Sequence, residues 1–294
     1  MKIQLSESLE SLGKGCFRGC YVLQDIILSN NLKNIGDHCF NDCRSLTKIT
    51  IPSPITILPS HCFYNCIYLM HVNVLNFVEI IDDYCFHGCI SLNSIHFISL
   101  TQYTVNDLNY IGENCFYNCK LLNKLELPKS LMYIGHRSFY NCVNLQKITI
   151  TNNSLQVNVF LSDEILNRRL YNRCFYNCRN LKSFIVPNHI KYIDDECFYN
   201  CESLIDITLP VSLMSIGKMC FHNTKLSEII IPEGVEEISD YCFKGSALIK
   251  ITLPSTLRCI GKESFKSCVN LTKIIIPNSV KHIGDDCFNC LMIF

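Results

Sequence analysis

The sequence predicts an α/β solenoid of about twelve turns, 22–23 residues each, running as a single unit over residues 1–294. The first observation behind this is a recurring phenylalanine. Phe17, Phe40, Phe63, Phe86, Phe116, Phe139, Phe175, Phe198, Phe221, Phe243, Phe265 and Phe288 are spaced by 23, 23, 23, 30, 23, 36, 23, 23, 22, 22 and 23 residues. A fixed period in the low twenties marks a stacked-repeat architecture, in which no turn buries its apolar face alone. The second observation is an apolar/polar alternation of period two at one place in each repeat. The third is an apolar spacing of i, i+1, i+4 and i+7 at another.

Each element follows from one stretch of the repeat. In Lys48-Ile49-Thr50-Ile51 the isoleucines point inward and Lys48 and Thr50 outward. Equivalent strands are expected at Leu125-Glu126-Leu127, Ile148-Thr149-Ile150, Ile207-Thr208-Leu209, Ile251-Thr252-Leu253 and Ile274-Ile275-Ile276. A proline follows in seven turns, at Pro52, Pro128, Pro187, Pro210, Pro232, Pro254 and Pro277. It donates no ladder hydrogen bond and so ends the strand. A second apolar pair (Leu32/Ile35, Leu131/Ile134, Leu213/Ile216, Val235/Ile238, Val280/Ile283) predicts a second extended segment. Gly13, Gly36, Gly112, Gly135, Gly217, Gly261 and Gly284 come next, with Asp82 and Asp194 in the same column. Such residues tolerate positive φ, so a sharp turn is expected there. Cys39, Phe40, Cys43 and Leu46 then have the spacing of one short helix with its apolar side inward.

Composition narrows the function classes. Lys+Arg and Asp+Glu both number 26, so net charge is zero and no basic footprint for nucleic acid or an anionic membrane surface is present. No run approaches the roughly 18 apolar residues of a membrane-spanning helix. The N-terminus lacks the apolar central run of a signal peptide, which reads as cytoplasmic if Met1 is the true start; a fragment would look the same.

Most of the 21 cysteines fall in two repeat columns, one residue before the phenylalanine (Cys39, Cys62, Cys85) and three after it (Cys43, Cys66, Cys89). Cysteines stacked turn on turn have parallel Cβ vectors, which does not favour disulfides. A C-x3-C pair without histidines at fixed offsets does not assemble four zinc ligands. Ser138, Ser264, Thr224 and Ser246 replace cysteine in these columns, as small buried side chains do. Buried free thiols are the reading, and they fit a reducing compartment.

The string Leu-x-x-Ile-x-Leu-Pro-x-Ser-Leu-x-x-Ile-Gly-x-x-Ser-Phe-x-x-Cys is approximated from Leu122 to Cys142 and again from Leu204 to Phe221. It resembles the BspA-like (Treponema pallidum-type) leucine-rich repeat, in a cysteine-rich variety of protozoan-parasite type. That resemblance implies a right-handed leucine-rich-repeat solenoid with its parallel strands on the concave face. It also implies a surface-associated adhesion or antigen role, and it brings no catalytic motif.

Function on such a scaffold resides in residues that vary from turn to turn. The candidate protein-binding face is the outward strand positions: Lys48, Thr50, Asn73, His96, Lys124, Glu126, Lys147, Thr149, Asp206, Thr208, Glu228, Lys250, Thr252 and Lys273, with His71, Ser94 and Ser183 in the same rows. The bland alternative is that threonine favours strands and lysine solvates an exposed sheet. Two insertions, near residues 97–109 and 151–170, break the period. The second carries Val157, Val159, Phe160 and Leu161, either a contact for a partner or a neutral insertion. Cys290 is fifth from the end, one place off a prenylation box. No phosphate-loop, nucleophile-elbow or zinc-protease motif occurs, and no catalytic residue, metal or cofactor is expected. The expected partner is protein, bound by a monomer, either at the cell surface or as an intracellular adaptor.

Overall fold

Alternation in Lys48–Ile51 allows one register that puts both isoleucines inside, and the chain adopts it: Ile49 and Ile51 are buried, Lys48 and Thr50 exposed. The computed structural model describes residues 1–75, 78–98, 108–128, 131–151 and 168–289. These belong to two compact units, Met1–Phe160 and Leu161–Phe294.

Each unit is a parallel-strand solenoid with two strand sets. Among the described residues, seven longer strands run from Lys2–Gln4 to Lys147–Thr151 in the first unit and four from Ser183–Ile185 to Lys250–Thr252 in the second. The register follows the repeat, with Lys48↔His71↔Ser94 and Thr50↔Asn73↔His96 in the first unit. In the second unit Ser183 pairs Asp206 and Glu228 pairs Lys250. The other set consists of two-residue strands such as Tyr110–Ile111 and Tyr133–Ile134, each burying its isoleucine. The solenoid thus has about eleven turns where the phenylalanine count suggests twelve. The strand expected at Ile274-Ile275-Ile276 does not form. Its turn has a neighbour on one side only among the described residues, and an unsupported strand is marginal.

Among the described residues no helix is present, which corrects both the α/β class and the short helix expected at Cys39–Leu46. Backbone hydrogen bonding gives the reason. Cys39, Asn41 and Cys43 donate their N–H groups to Gly36, His38 and Phe40, three residues back. The intervening His38, Phe40 and Asp42 donate to Ser60, Cys62 and Tyr64 of the next turn, at 3.0, 2.9 and 2.8 Å. A helix spends every N–H on its own i−4 carbonyl and leaves none for a neighbour. Here every second donor is exported, so the segment becomes linked tight turns that carry a ladder.

This backbone needs two left-handed residues per turn, two before and two after the phenylalanine. His38 and Asp42 are at φ 57° and 58°, and His61 and Asn65 are both at 57°. The glycine column expected to supply positive φ does not; Gly36, Gly112 and Gly217 are absent from the left-handed region. Close approach selects them instead. A Cβ on Gly36 would lie 2.5 Å from the Lys14 backbone nitrogen of the preceding turn.

The core is a phenylalanine stack flanked by leucine and isoleucine columns. Phe40–Phe63 and Phe63–Phe86 have ring centroids 5.4 and 5.2 Å apart and planes within 8°. Turns about 4.8 Å apart make these offset stacks, the geometry that aromatic quadrupoles prefer. Phe40, Phe63, Phe86, Phe116 and Phe139 in the first unit, and Phe175 to Phe265 in the second, are fully buried.

Candidate interaction face

Period-two alternation puts the predicted binding residues outside, and the structure agrees on their placement. Asn73 and Thr149 are half-buried, and the other twelve are exposed. They fall on separate units, so Lys48 through Thr149 form one face and Asp206 through Lys273 another. Lys273 lies outside any strand, for the reason given for its turn.

On the first unit the outer column reads Lys48, His71, Ser94, Lys124, Lys147, and the inner one Thr50, Asn73, His96, Glu126, Thr149. The Ser94 hydroxyl links two imidazoles, 3.2 Å from His71 Nδ1 and 2.8 Å from His96 Nε2. This orders the centre of the face. On the second unit Glu228 and Lys250 approach to 4.0 Å, an exposed pair of small energetic weight.

The polar reading of this face missed its apolar members. Ile185 and Ile230 are 65% and 72% exposed, in register with Thr208 and Thr252 respectively; Ile275, at the same repeat position, is 72% exposed. The signal was present in the triplets Ser-Phe-Ile and Glu-Ile-Ile, whose last residue must face outward if the middle one is buried. Val157, Val159, Phe160 and Leu161 lie outside the described residues, as do Cys290 and most of both insertions.

The tight turns display a second ordered surface. Tyr64, His87, Tyr117 and Tyr140 stack at 4.7 Å spacing, and beside them His38, His61 and Tyr84 stack at 4.5 and 4.7 Å. Burial lowers the pKa of His38, His61 and His87, with neighbouring positive charge adding to it. In the second unit Tyr176, Tyr199 and His222 repeat the arrangement. Asparagine amides form a ladder alongside, Asn141 Nδ2 donating to Asn118 Oδ1 at 2.7 Å. The repeated Cys-Phe-Tyr-Asn-Cys was the sequence signal for the Tyr64–Tyr140 stack and the asparagine ladder; the His38, His61 and Tyr84 column lies just before it.

The thiols do more than fill space. Cys66 donates its S–H to the Phe40 carbonyl at 3.1 Å, and that oxygen also accepts the Cys43 N–H at 3.0 Å. Cys43, Cys89, Cys119 and Cys142 do the same towards the phenylalanine of the preceding turn. Each bond ties one turn to the next and fills the second lone pair of a buried carbonyl. Burial pushes Cys39 and Cys43 up to about 12 and raises Cys62 and Cys66 well above the ordinary thiol value, which suppresses the reactive thiolate. Among the described residues no disulfide joins any of the twenty cysteines. Among the described residues no three His, Cys, Asp or Glu side chains converge to hold a metal ion.

Comparison with known proteins places this architecture. The model of the BspA type leucine rich repeat region (6 copies) matches residues 1–105, 99–164 and 168–292. The chain belongs to the BspA-type leucine-rich-repeat family. Among solved BspA-type and related structures, a leucine-rich repeat protein from Bacteroides ovatus shares 22% identity and a TM-score of 0.59, over 99% of this chain and 85% of that one. That likeness supports the fold alone. A leucine rich cell surface protein from Faecalibacterium prausnitzii is 20% identical with a TM-score of 0.44, over 96% and 87% of the two chains. The T. pallidum leucine rich repeat protein is 21% identical with a TM-score of 0.36, over 76% and 75%. No curated protein matches significantly.

Proposed function

We propose that this BspA-type chain is a non-catalytic scaffold that binds protein through the outward strand face of its second unit. One observation carries the reading: Ile185 and Ile230 stand exposed in a β-branched column with Thr208 and Thr252, bordered by Asp206, Glu228 and Lys250. Isolated exposed apolar residues are ordinary, but an aligned set rimmed by charge is the composition of a protein interface. The scaffold acts as a monomer.

Two settings remain in play. Family membership supports a surface-associated adhesin or antigen. The columns of buried cysteines such as Cys62, Cys66, Cys85 and Cys89, which form no disulfide, support an intracellular adaptor, since oxidising compartments favour disulfides. Proximity labelling in the native cell, with surface exposure scored in parallel, separates them. The same experiment with an Ile185→Asp/Ile230→Asp chain tests the face. Neighbours lost from that variant, with circular dichroism unchanged, are expected. An identical neighbour set would reject the face.

A further inference from the structure

We infer that the strand face of the first unit is a binding site for an anionic polysaccharide, its sulfate or carboxylate groups lying along the Lys48–Lys147 column. This goes beyond the protein-binding reading, which concerns the other unit and different residues.

Charge is the starting point. Lys48, Lys124 and Lys147 are exposed at the same repeat position of their turns, and none makes an ion pair within 4.0 Å among the described residues. Other lysines meet acids, Lys2 with Asp25 at 3.8 Å and Lys33 with Glu10 at 2.9 Å; Asp25 stands in the turn before Lys48, where Lys2 engages it. Between Lys48 and Lys147 the two outward columns hold one carboxylate, Glu126. Although the protein has no net charge, this face is a cationic stripe. A stripe of fixed like charges focuses a local field that attracts a complementary polyanion.

The shape of the ligand follows from the spacing. Lys48, His71, Ser94, Lys124 and Lys147 occupy successive turns, so at about 4.8 Å per turn the column spans roughly 19 Å. Only an extended chain meets all three lysines together, and it gains from their simultaneous engagement.

The inner column distinguishes a polysaccharide from an acidic peptide. Thr50, Asn73, His96 and Thr149 offer hydroxyl, amide and imidazole groups suited to sugar hydroxyls. These four positions carry no aliphatic or aromatic anchor of the kind that dominates protein interfaces; the exposed Ile27 and Ile98 stand at the borders of the polar stretch. The Ser94 bridge between His71 and His96 fixes the centre of the surface in advance of binding. Two imidazoles meeting at one hydroxyl also suggest a metal ion. Lys48 and Lys124 in the same column oppose a cation there and favour an anion.

The test uses the full chain and heparin oligosaccharides of graded length, followed by calorimetry at several salt concentrations. Binding is expected to weaken steeply with salt and to fall sharply for oligosaccharides shorter than roughly 19 Å, the column length given by strand spacing. Lys48→Gln/Lys124→Gln/Lys147→Gln should lower affinity at least about tenfold and flatten the salt dependence, as lost screened charge contacts require. Glu126→Gln should raise affinity, an effect no structural role of the lysines would produce. Lys120→Gln, in the tight-turn segment and outside both outward columns, should leave it unchanged. Desulfated heparin and uronate-only oligosaccharides distinguish sulfate from carboxylate recognition. Equal binding of poly-glutamate, or retention of affinity in the triple variant, would overturn the proposal.

Discussion

Arg137 holds a left-handed backbone (φ 53°) with an exposed side chain, while Gly36, where glycine suggested positive φ, sits outside that region. The two positions respond in opposite senses to substitution. A non-glycine residue in the left-handed region costs about 1–2 kcal/mol, and glycine's extra unfolded-state entropy returns about 0.5–1 kcal/mol of that. Arg137→Gly is therefore expected to stabilise the chain, by up to about 1 kcal/mol on balance. Gly36→Ala is expected to destabilise it by about 1–3 kcal/mol, because its Cβ would overlap the Lys14 backbone. Urea midpoints of both variants check this, and a stabilised Gly36→Ala would refute the close-approach account. Asn65, Asn118 and Asn141 in the other left-handed column were legible, since asparagine tolerates that conformation. Glycine was legible as special but not for its reason, because the clashing atom belongs to the previous turn.

At the scale of the element, the apolar spacing around Phe40 fits a helix and a run of tight turns equally well. The choice lies with the exported N–H groups of His38, Phe40 and Asp42, whose acceptors are 22 residues away in the chain. The cysteine columns show the same division. Their burial was readable from their serine and threonine substitutes, but the S–H bonds to the preceding phenylalanine carbonyls were not. Native alkylation tests the element as built. Cys16, Cys20 and Cys259 are exposed or half-buried and should react, whereas the buried cysteines of both columns should react only after denaturation. Rapid native modification of Cys62 or Cys89 would mean that the turns open far more readily than this packing allows.

At the scale of the whole molecule, the histidines set an acid limit. Burial lowers His38, His61 and His87 in the first unit and His189 and His222 in the second. The unfolded chain takes up protons at the ordinary value of 6.5, where the folded chain still resists them. Through that window the unfolded state binds more protons, so stability rises with pH and falls as pH drops below about 6.5. A melting temperature that declines from pH 7.5 to 5.5 is expected. His87→Tyr, which keeps the ring stacked between Tyr64 and Tyr117, should flatten the decline. An unchanged slope in that variant would remove His87 from the account.

The sequence alone determined the period, the inward and outward positions of each strand, the buried columns and the family, because each rests on side-chain type at a fixed spacing. It also held the lysine stripe and the exposed isoleucines, the latter once each strand is read in phase. Tertiary structure alone decided that the cysteine–phenylalanine segment is turns, where the left-handed residues fall, why glycine is needed and what the thiols bond. Those features depend on atoms one turn away, and local propensity carries no information about a partner more than twenty residues distant.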